Sequence, residues 1–329
     1  MKIGKDKFLE LYTTMVKCRF FEERIVDLYA RGQVPGLAHL YIGEEGVAAG
    51  VCGALREDDY ITSTHRGHGH VISKGADLNR MMAELFGKKS GYCKGKGGSM
   101  HIADMGLGIL GANGIAGGGL PIAIGAGWSA KWRGTDQVAA SFFGDAASNN
   151  GTFHESLNLA SLHKLPVIFV CENNEFGISV CQAKHQPIKD IYIRATSYDM
   201  PGVLVDGNDV VEVFEATSKA VRRARAGDGE GPTLIECKTY RWRGHHEGDP
   251  NLGSRYRDKK DIEVWKQKCP IDRLAKRLVQ NKVATKKKLA AIDQEIVEQI
   301  DQAVAFAKEA EFPAIEEMYE DVYVTEGVK

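Results

Sequence analysis

The chain of 329 residues contains no run approaching about 18 consecutive apolar residues, so no transmembrane helix is expected. It also lacks the uninterrupted apolar centre of a secretion signal, because the opening MKIGKDKFLELYTTMVKCRFFEERIV alternates charged and apolar residues. An excess of one charge is missing too. With 43 basic and 44 acidic residues the formal net charge is -1, which argues against a surface built to hold nucleic acid or anionic lipid. The seven cysteines include no C-x-x-C pair, and their odd number fits reduced thiols in a cytoplasmic compartment. Internal repeats and low-complexity segments are absent.

What is present is ordinary for a soluble globular protein: 43% hydrophobic and 26% charged residues, in a chain long enough to bury a large core. Apolar side chains at Phe8, Leu9, Tyr12, Val16, Phe20, Ile25, Leu28 and Tyr29 recur every three to four positions and predict a long amphipathic helix over residues 6–31, ended by Arg31 and Gly32. A second helix is expected over residues 43–55. DDYITSTHRGHGH then reads as a short strand running into a polar loop of the kind that binds ligands. Residues 87–119 are dense in glycine, and an ordered loop is expected there, since glycine lets backbone approach a ligand or take a positive φ.

The middle of the chain alternates. QVAASFF (137–143) predicts a strand, TFHESLNLASLHK (152–164) a helix and LPVIFVCEN (165–173) a strand too apolar to have a solvated face. GVLVDG (202–207), a helix over 209–227 and PTLIECKTY (232–240) repeat the pattern. The predicted fold is α/β: a mostly parallel, doubly wound sheet covered by helices, forming one domain over 1–329. A helical extension (1–35) precedes it, and a charged helical tail (270–329) reads as peripheral.

Asp145 falls at the carboxyl end of one predicted strand, and Asn173 and Asn174 at the carboxyl end of the next, on the edge where such sheets bind ligands. A helix opening near Gly151 aims its free N–H groups at the same edge, which suits a phosphate. A carboxylate and a phosphate repel, and a hard divalent cation such as magnesium reconciles them. Taken singly, Asp145 is equally well a helix cap and the asparagine pair a turn. The spacing separates the readings. Ala146 and then residues 147–172, twenty-six positions, precede Asn173-Asn174. This resembles the thiamine diphosphate fingerprint, GDG followed by about 26 residues and NN.

The resemblance extends over most of residues 8–270. GKGGSMH, GANGIAGGGLPIAIGAG, FHESLNLASLHKLPVIFVCENN and YRWRGHHEGDP are similar to the alpha subunit of the thiamine-dependent first component of 2-oxo acid dehydrogenase complexes, in the pyruvate and acetoin branch. GANGIAGGG and HHEGDP look closer to the acetoin subunit than to the animal pyruvate enzyme. The resemblance implies thiamine diphosphate and magnesium as cofactors, with Asp145, Asn174 and the carbonyl of Phe176 as magnesium ligands. It implies that Arg66, with His65 beside it, contacts the diphosphate, whose oxygens a planar guanidinium meets in pairs. Gly114 and Ala116 are then expected at the aminopyrimidine ring, and Ala146 and Ala147 at the diphosphate. His245 faces cofactor and substrate as proton donor or oxyanion partner, with His68 as a second catalytic candidate.

The implied reaction cleaves acetoin or decarboxylates pyruvate and passes a two-carbon unit to a lipoyl group on an acyltransferase component. The glutamate that activates the cofactor belongs, in the family, to a separate beta subunit. An assembly of two alpha and two beta chains is expected, with the N-terminal helix and segment 106–127 as candidate contact surfaces. A branched-chain 2-oxo acid dehydrogenase alpha subunit and a catalytically silent scaffold homologue are the alternatives.

This sequence departs from the family pattern in three places. If position 146 needs a positive φ, the Ala146 methyl costs about 1 kcal/mol. Ala116 is smaller than the branched aliphatic residue usual there. His246 stands where the animal enzyme has a regulatory serine, so its residue type excludes phosphorylation. Other patterns are weaker. His65, His68 and His70 suggest zinc only faintly, without cysteine or carboxylate spacing. Gly95-Lys96 is followed by Gly97 where a phosphate loop has Ser or Thr, and GIAGGGLPIAIG has neither the preceding strand nor the acidic residue of a dinucleotide turn. RRARAG (222–227) reads as a solvated helix end, and Glu44 and Glu45 as first-turn charges of a helix.

Overall fold

The computed structural model describes residues 3–226, 230–249 and 253–321. A five-stranded parallel sheet, in the order β1-β2-β3-β7-β6, forms its centre. The strands are β1 (Tyr60–Thr62), β2 (Ala139–Gly144), β3 (Val167–Asn173), β6 (Gly202–Asp206) and β7 (Thr233–Lys238); β4 (Phe176–Gly177) and β5 (Val180–Cys181) make a separate small hairpin. Alternation sends the side chains of β3 to opposite faces. Ile168 and Val170 join one apolar cluster, while Val167, Phe169 and Cys171 join the other. Both faces are covered, which is why the run VIFVC carries no polar side chain until Glu172.

The first face is covered by α1 (Lys5–Ala30), α2 (Glu45–Ala54) and α8 (Val210–Arg225), the second by α5 (Gly119–Arg133) and α6 (Gly151–Leu162). Short helices α3 (His68–Ser73) and α4 (Leu78–Leu85) follow β1, and α7 (Gln182–His185) follows the hairpin. Asp209 caps α8 by accepting from the N–H groups of Val211 and Glu212 at 3.0 and 3.3 Å. At its other end Arg225 pairs with the buried carboxylate of Asp59, so this helix end is not simply solvated; Gly227 lies outside the described residues. No helix among the described residues is long and apolar enough to cross a membrane. All seven cysteines are free thiols.

Two expectations change. The apolar side of α1 is already used: Tyr12, Val16, Ile25 and Leu28 are buried in the chain's own core, leaving no apolar face of that helix for a partner. The tail is not peripheral either. After α9 (Lys259–Lys266) come α10 (Pro270–Gln280) and α11 (Lys286–Glu309), whose Leu274, Leu278, Leu289, Ile296 and Ile300 enter the same core cluster as α1 and α4. Tyr12 donates to Asp293 at 2.9 Å across that junction. Beyond α11 the chain returns to the glycine-rich loop. Glu317 pairs with Lys89 at 2.7 Å, Asp321 with Lys94 and Lys96 at 2.9 Å each, and the Lys88 ammonium lies 3.6 Å over the Phe312 ring.

That loop is ordered, as expected, and a buried carboxylate organises it. Glu84, 0% exposed, accepts N–H bonds from Cys93 and Gly95 on one oxygen (2.7 and 2.9 Å) and from Gly97 and Gly98 on the other (2.8 and 2.9 Å). The GKGG run wraps an internal carboxylate rather than a phosphate. Gly95 must be glycine: its φ is +76° and a Cβ would sit 2.4 Å from the carbonyl carbon of Gly87.

Candidate active site

The carboxyl ends of the strands open onto a cavity of ≈ 330 Å³, about the lower size of a small-ligand site. The loop after β1 contributes His65 and Arg66, the turn after β2 Asp145 to Ala147, the turn after β3 Asn174 and Phe176, and the loop after β7 Arg241 and His245. Residues spread over 180 positions of sequence therefore meet because parallel strands deliver their ends to one edge.

Asp145 opens a 3-10 turn and is 1% exposed. Among the described residues its carboxylate receives one hydrogen bond, from Nε2 of His185 at 3.1 Å. The asparagine pair divides its work. The Asn173 amide is bound to Gln182 at 3.0 Å and Glu236 at 2.6 Å, deep in the sheet, whereas Asn174 lines the cavity. Nδ2 of Asn174 donates to Glu44 at 3.0 Å, and among the described residues its Oδ1 receives only a long bond from the Phe176 N–H at 3.4 Å. Buried Asp145, the Asn174 amide oxygen and the Phe176 carbonyl offer oxygen alone, the donor type that suits magnesium. The turn carrying them is strained, with Glu175 at φ 68° and Ile178 at φ 54°, and Arg241 restrains it by donating to the carbonyls of Phe176 at 3.4 Å and Ile178.

Arg66 is buried and donates to the carbonyls of Leu40 at 2.7 Å and His245 at 3.0 Å; Arg241, also buried, leaves Nε without a partner. Neither guanidinium hydrogen-bonds a carboxylate among the described residues, and burial pushes Arg66 down to about 10, still charged at neutral pH. Two buried cations on one wall, with carboxylates near but hydrogen-bonded to neither, suit an anionic ligand. A diphosphate fits that wall, and the oxygen donors fit its cation.

His245 is held by its backbone: its N–H donates to Asp249 at 3.0 Å, whose carboxylate also takes the Tyr256 hydroxyl at 2.5 Å. Gly244 permits this, since a Cβ there would lie 2.6 Å from that of Asp249. Pro250, which closes the HHEGDP motif, lies outside the described residues. Burial, then the charges of Arg66 and Arg241, lowers His245 to about 3. At neutral pH the ring is therefore uncharged, and what it offers is a neutral N–H. Arg241 approaches Nδ1 at 3.5 Å, which places the ring's proton on Nε2.

His68 does not reach the cavity. Its Nδ1 pairs with Glu22 at 3.0 Å and its Nε2 with the Ser99 hydroxyl at 3.0 Å, so both ring nitrogens are spent inside the protein. The catalytic role expected of it is withdrawn. His70 is likewise tied between Ser63 at 2.8 Å and Glu172 at 2.9 Å. The zinc trio His65, His68 and His70 thus falls apart. A different trio, His39, His65 and His245, brings its ring nitrogens within 4.8 Å of one another, but the guanidiniums beside it disfavour a cation.

Gly114 lies on an exposed loop between Asn113 and Ile115, which line the cavity although it does not; Ala116 does, and its carbonyl accepts from Asn150 at 2.7 Å. Ala146 is not among the residues with positive φ, so its methyl adds no backbone strain. The methyl is accommodated opposite Gly177, where a Cβ would sit 2.5 Å from it.

Sequence reasoning missed Glu44, Glu172, Arg241, His39 and His185. Glu44 is no surface charge: it is buried, lines the cavity, and burial with the nearby Glu172 charge pushes it up to about 8. Glu45 is buried as well, in a two-point pair with Arg19 at 2.6 and 2.9 Å. Arg241, four residues before His245 in a motif already singled out, was the most findable of these.

Residues 12–316 match the family described as the dehydrogenase E1 component. The chain is 48% identical over 326 residues to the alpha subunit of acetoin:2,6-dichlorophenolindophenol oxidoreductase of Bacillus subtilis, covering 99% of this chain and 96% of that one. It is 44% identical over 325 residues to the subunit of the same name from Cupriavidus necator, with the same coverage. It is also 41% identical over 327 residues to the chloroplastic pyruvate dehydrogenase E1 component subunit alpha-3 of Arabidopsis thaliana, covering 98% of this chain and 75% of the relative.

Proposed function

The chain belongs to the dehydrogenase E1 component family, and from that premise we propose that it is the alpha subunit of a thiamine diphosphate-dependent enzyme that cleaves acetoin. Identity of 48% and 44% to two acetoin oxidoreductase alpha subunits, along nearly the whole chain, carries the choice of substrate. Pyruvate is the second reading, supported by 41% identity to a pyruvate dehydrogenase subunit.

In this reading Asp145, the Asn174 amide oxygen and the Phe176 carbonyl hold magnesium. Arg66, His65 and the backbone around Ala146 and Ala147 receive the diphosphate, Arg241 adds a second positive charge, and Ala116 lies near the aminopyrimidine. Gly114 is close enough in sequence to share that last role only through its backbone. Thiamine diphosphate, when bound, supplies the nucleophilic carbon and the electron sink. Neutral His245 offers Nε2–H to the substrate oxygen as negative charge develops on it, a hydrogen bond that strengthens toward the transition state. Buried Glu44 holds the Asn174 amide nitrogen, so the amide oxygen is left for the cation.

The half-site is completed by a beta subunit. After β7 the described residues contain helices and no further strand, so nothing here can build a second doubly wound half. Segment 106–127 keeps its candidacy as the contact surface: Ile115 and Ile122 are exposed, and beyond it Trp128 and Trp132 of α5 are exposed as well. An assembly of two alpha and two beta chains delivering the two-carbon unit to a lipoyl-bearing acyltransferase follows from this reading. The test is turnover of acetoin, pyruvate and branched 2-oxo acids by the chain purified with and without its beta subunit. Acetoin should be preferred by the complex, and the isolated chain should be inactive. Preference for pyruvate would move the assignment to the second reading, and turnover by the isolated chain would overturn the half-site.

A further inference from the structure

We propose that His185 is a positioning residue of the cation centre, fixed in one tautomer by Asn149 and Arg194 so that it ties down one oxygen of Asp145 and leaves the other for the cation. This rests on the reading of Asp145 as a cation ligand. The argument starts at Arg194, whose Nη2 donates to Oδ1 of Asn149 at 2.9 Å. A guanidinium only donates, so the Asn149 oxygen must face it. Nδ2 of Asn149 is then on the other side, where it donates to the His185 carbonyl at 3.1 Å and lies 3.1 Å from His185 Nδ1. Two independent partners thus fix the amide orientation.

The consequence passes to the ring. An amide nitrogen facing Nδ1 is a donor, so Nδ1 accepts and carries no proton. The ring proton then sits on Nε2, and Nε2 is the atom 3.1 Å from Asp145 Oδ2. His185 accordingly donates to Asp145. With its Nε2 lone pair used by the proton, it is not a metal ligand, and the donor set of the centre stays all oxygen, which favours a hard cation. Among the described residues this is the one hydrogen bond the Asp145 carboxylate receives. Without it, the side chain is free to turn within the cavity. Partners of this outer kind change metal affinity by about 10–100-fold when removed.

The probe is Mn²⁺, counted as free ion by electron paramagnetic resonance in the presence of thiamine diphosphate, on the full chain with its beta subunit. Asp145→Ala should abolish binding. His185→Ala should weaken it by about 10–100-fold, and His185→Gln, whose amide N–H can donate from the same place, should recover most of the loss. Asn149→Ala keeps His185 but removes the amide that holds its Nδ1 and its carbonyl, so the ring is no longer held against Asp145. It should weaken Mn²⁺ binding, by less than His185→Ala does. Nitrogen-15 spectra of the histidine side chains should show His185 protonated at Nε2 in the parent. Circular dichroism checks that each variant folds. Unchanged affinity in His185→Ala, with binding lost in Asp145→Ala, or a parent ring without a proton on Nε2, overturns the role of His185 alone. Unchanged affinity in Asp145→Ala overturns the cation site beneath it.

Discussion

Glu84 and Asp145 are both buried carboxylates beside glycine-containing turns, yet one is saturated and the other is not. Glu84 receives four backbone N–H bonds, about as many as a carboxylate can take; Asp145 receives one, from an imidazole. The first region has its anion built in, and its geometry is complete as it stands. The second has unspent acceptors facing a cavity walled by two guanidiniums that hydrogen-bond no carboxylate among the described residues, and a buried anion left so poorly bonded requires another partner. Counting donors separates a carboxylate that shapes a loop from one that waits for a ligand. Residue type and flanking glycine do not.

The contrast is broken most directly at Asp145. Asp145→Ala should eliminate magnesium-dependent thiamine diphosphate binding, read by calorimetry, while changing unfolding stability by less than about 1 kcal/mol. Glu84→Gln should do the opposite. An amide offers one oxygen where four N–H groups converge and turns an NH₂ toward the rest, so stability in urea should fall by roughly 3 kcal/mol or more, with cofactor affinity of the folded fraction retained. Equal behaviour of the two variants would end the distinction.

Within the open region, His245→Ala should slow turnover by about a hundredfold, consistent with loss of one hydrogen bond to a developing oxyanion. His246→Ala should slow it far less, and the reverse order would show the histidine pair assigned in the wrong register. Acid should also find this region first. Burial lowers His39, His65 and His245 to about 3, 2 and 3, well under the ordinary imidazole value. Their stabilising contribution is full above the unfolded value of about 6.5 and is lost as pH falls toward the folded values, because the unfolded chain binds protons that the folded chain refuses. In the metal-free chain, His39→Gln should reduce proton uptake on unfolding at pH 5 by about one. The smallest effect belongs to Ala146→Gly, which restores the family residue. Since the backbone there is not left-handed, it should leave cofactor affinity within about twofold and cost roughly 0.5–1 kcal/mol of stability.

The sheet was legible because each strand is a short apolar run ending in polar residues. QVAASFF and LPVIFVCEN mark β2 and β3 to within two residues. Asp145 and Asn174 were legible through their spacing. The remaining site residues were not, for physical reasons. Glu44, Glu172 and Arg241 look like ordinary surface charges in sequence, and only burial, which depends on distant segments, gives them a role. His68 misled because THRGHGH reads as one polar loop, whereas α3 begins within it and turns that side chain into the core. His185 sits in a short helix with no pattern of its own, and its importance arises from Asn149, thirty-six positions earlier. The tail did carry a stripe, Leu289, Ile296 and Ile300, but its dense charge suggested a surface.

The return of the last described residues to the glycine-rich loop has a bearing on biosynthesis. Lys94 is 227 positions from Asp321, and Tyr12 is 281 positions from Asp293. On a ribosome adding about 5–20 residues per second, α1 and the loop around Glu84 exist for many seconds before their partners emerge. Until then the side of α4 that packs on α11, and the part of α1 that meets α10 and α11, stay uncovered. The half of the molecule made first is thus finished last, and a nascent chain stalled before α11 should expose that apolar surface to chaperones although its cavity-forming strands are already complete.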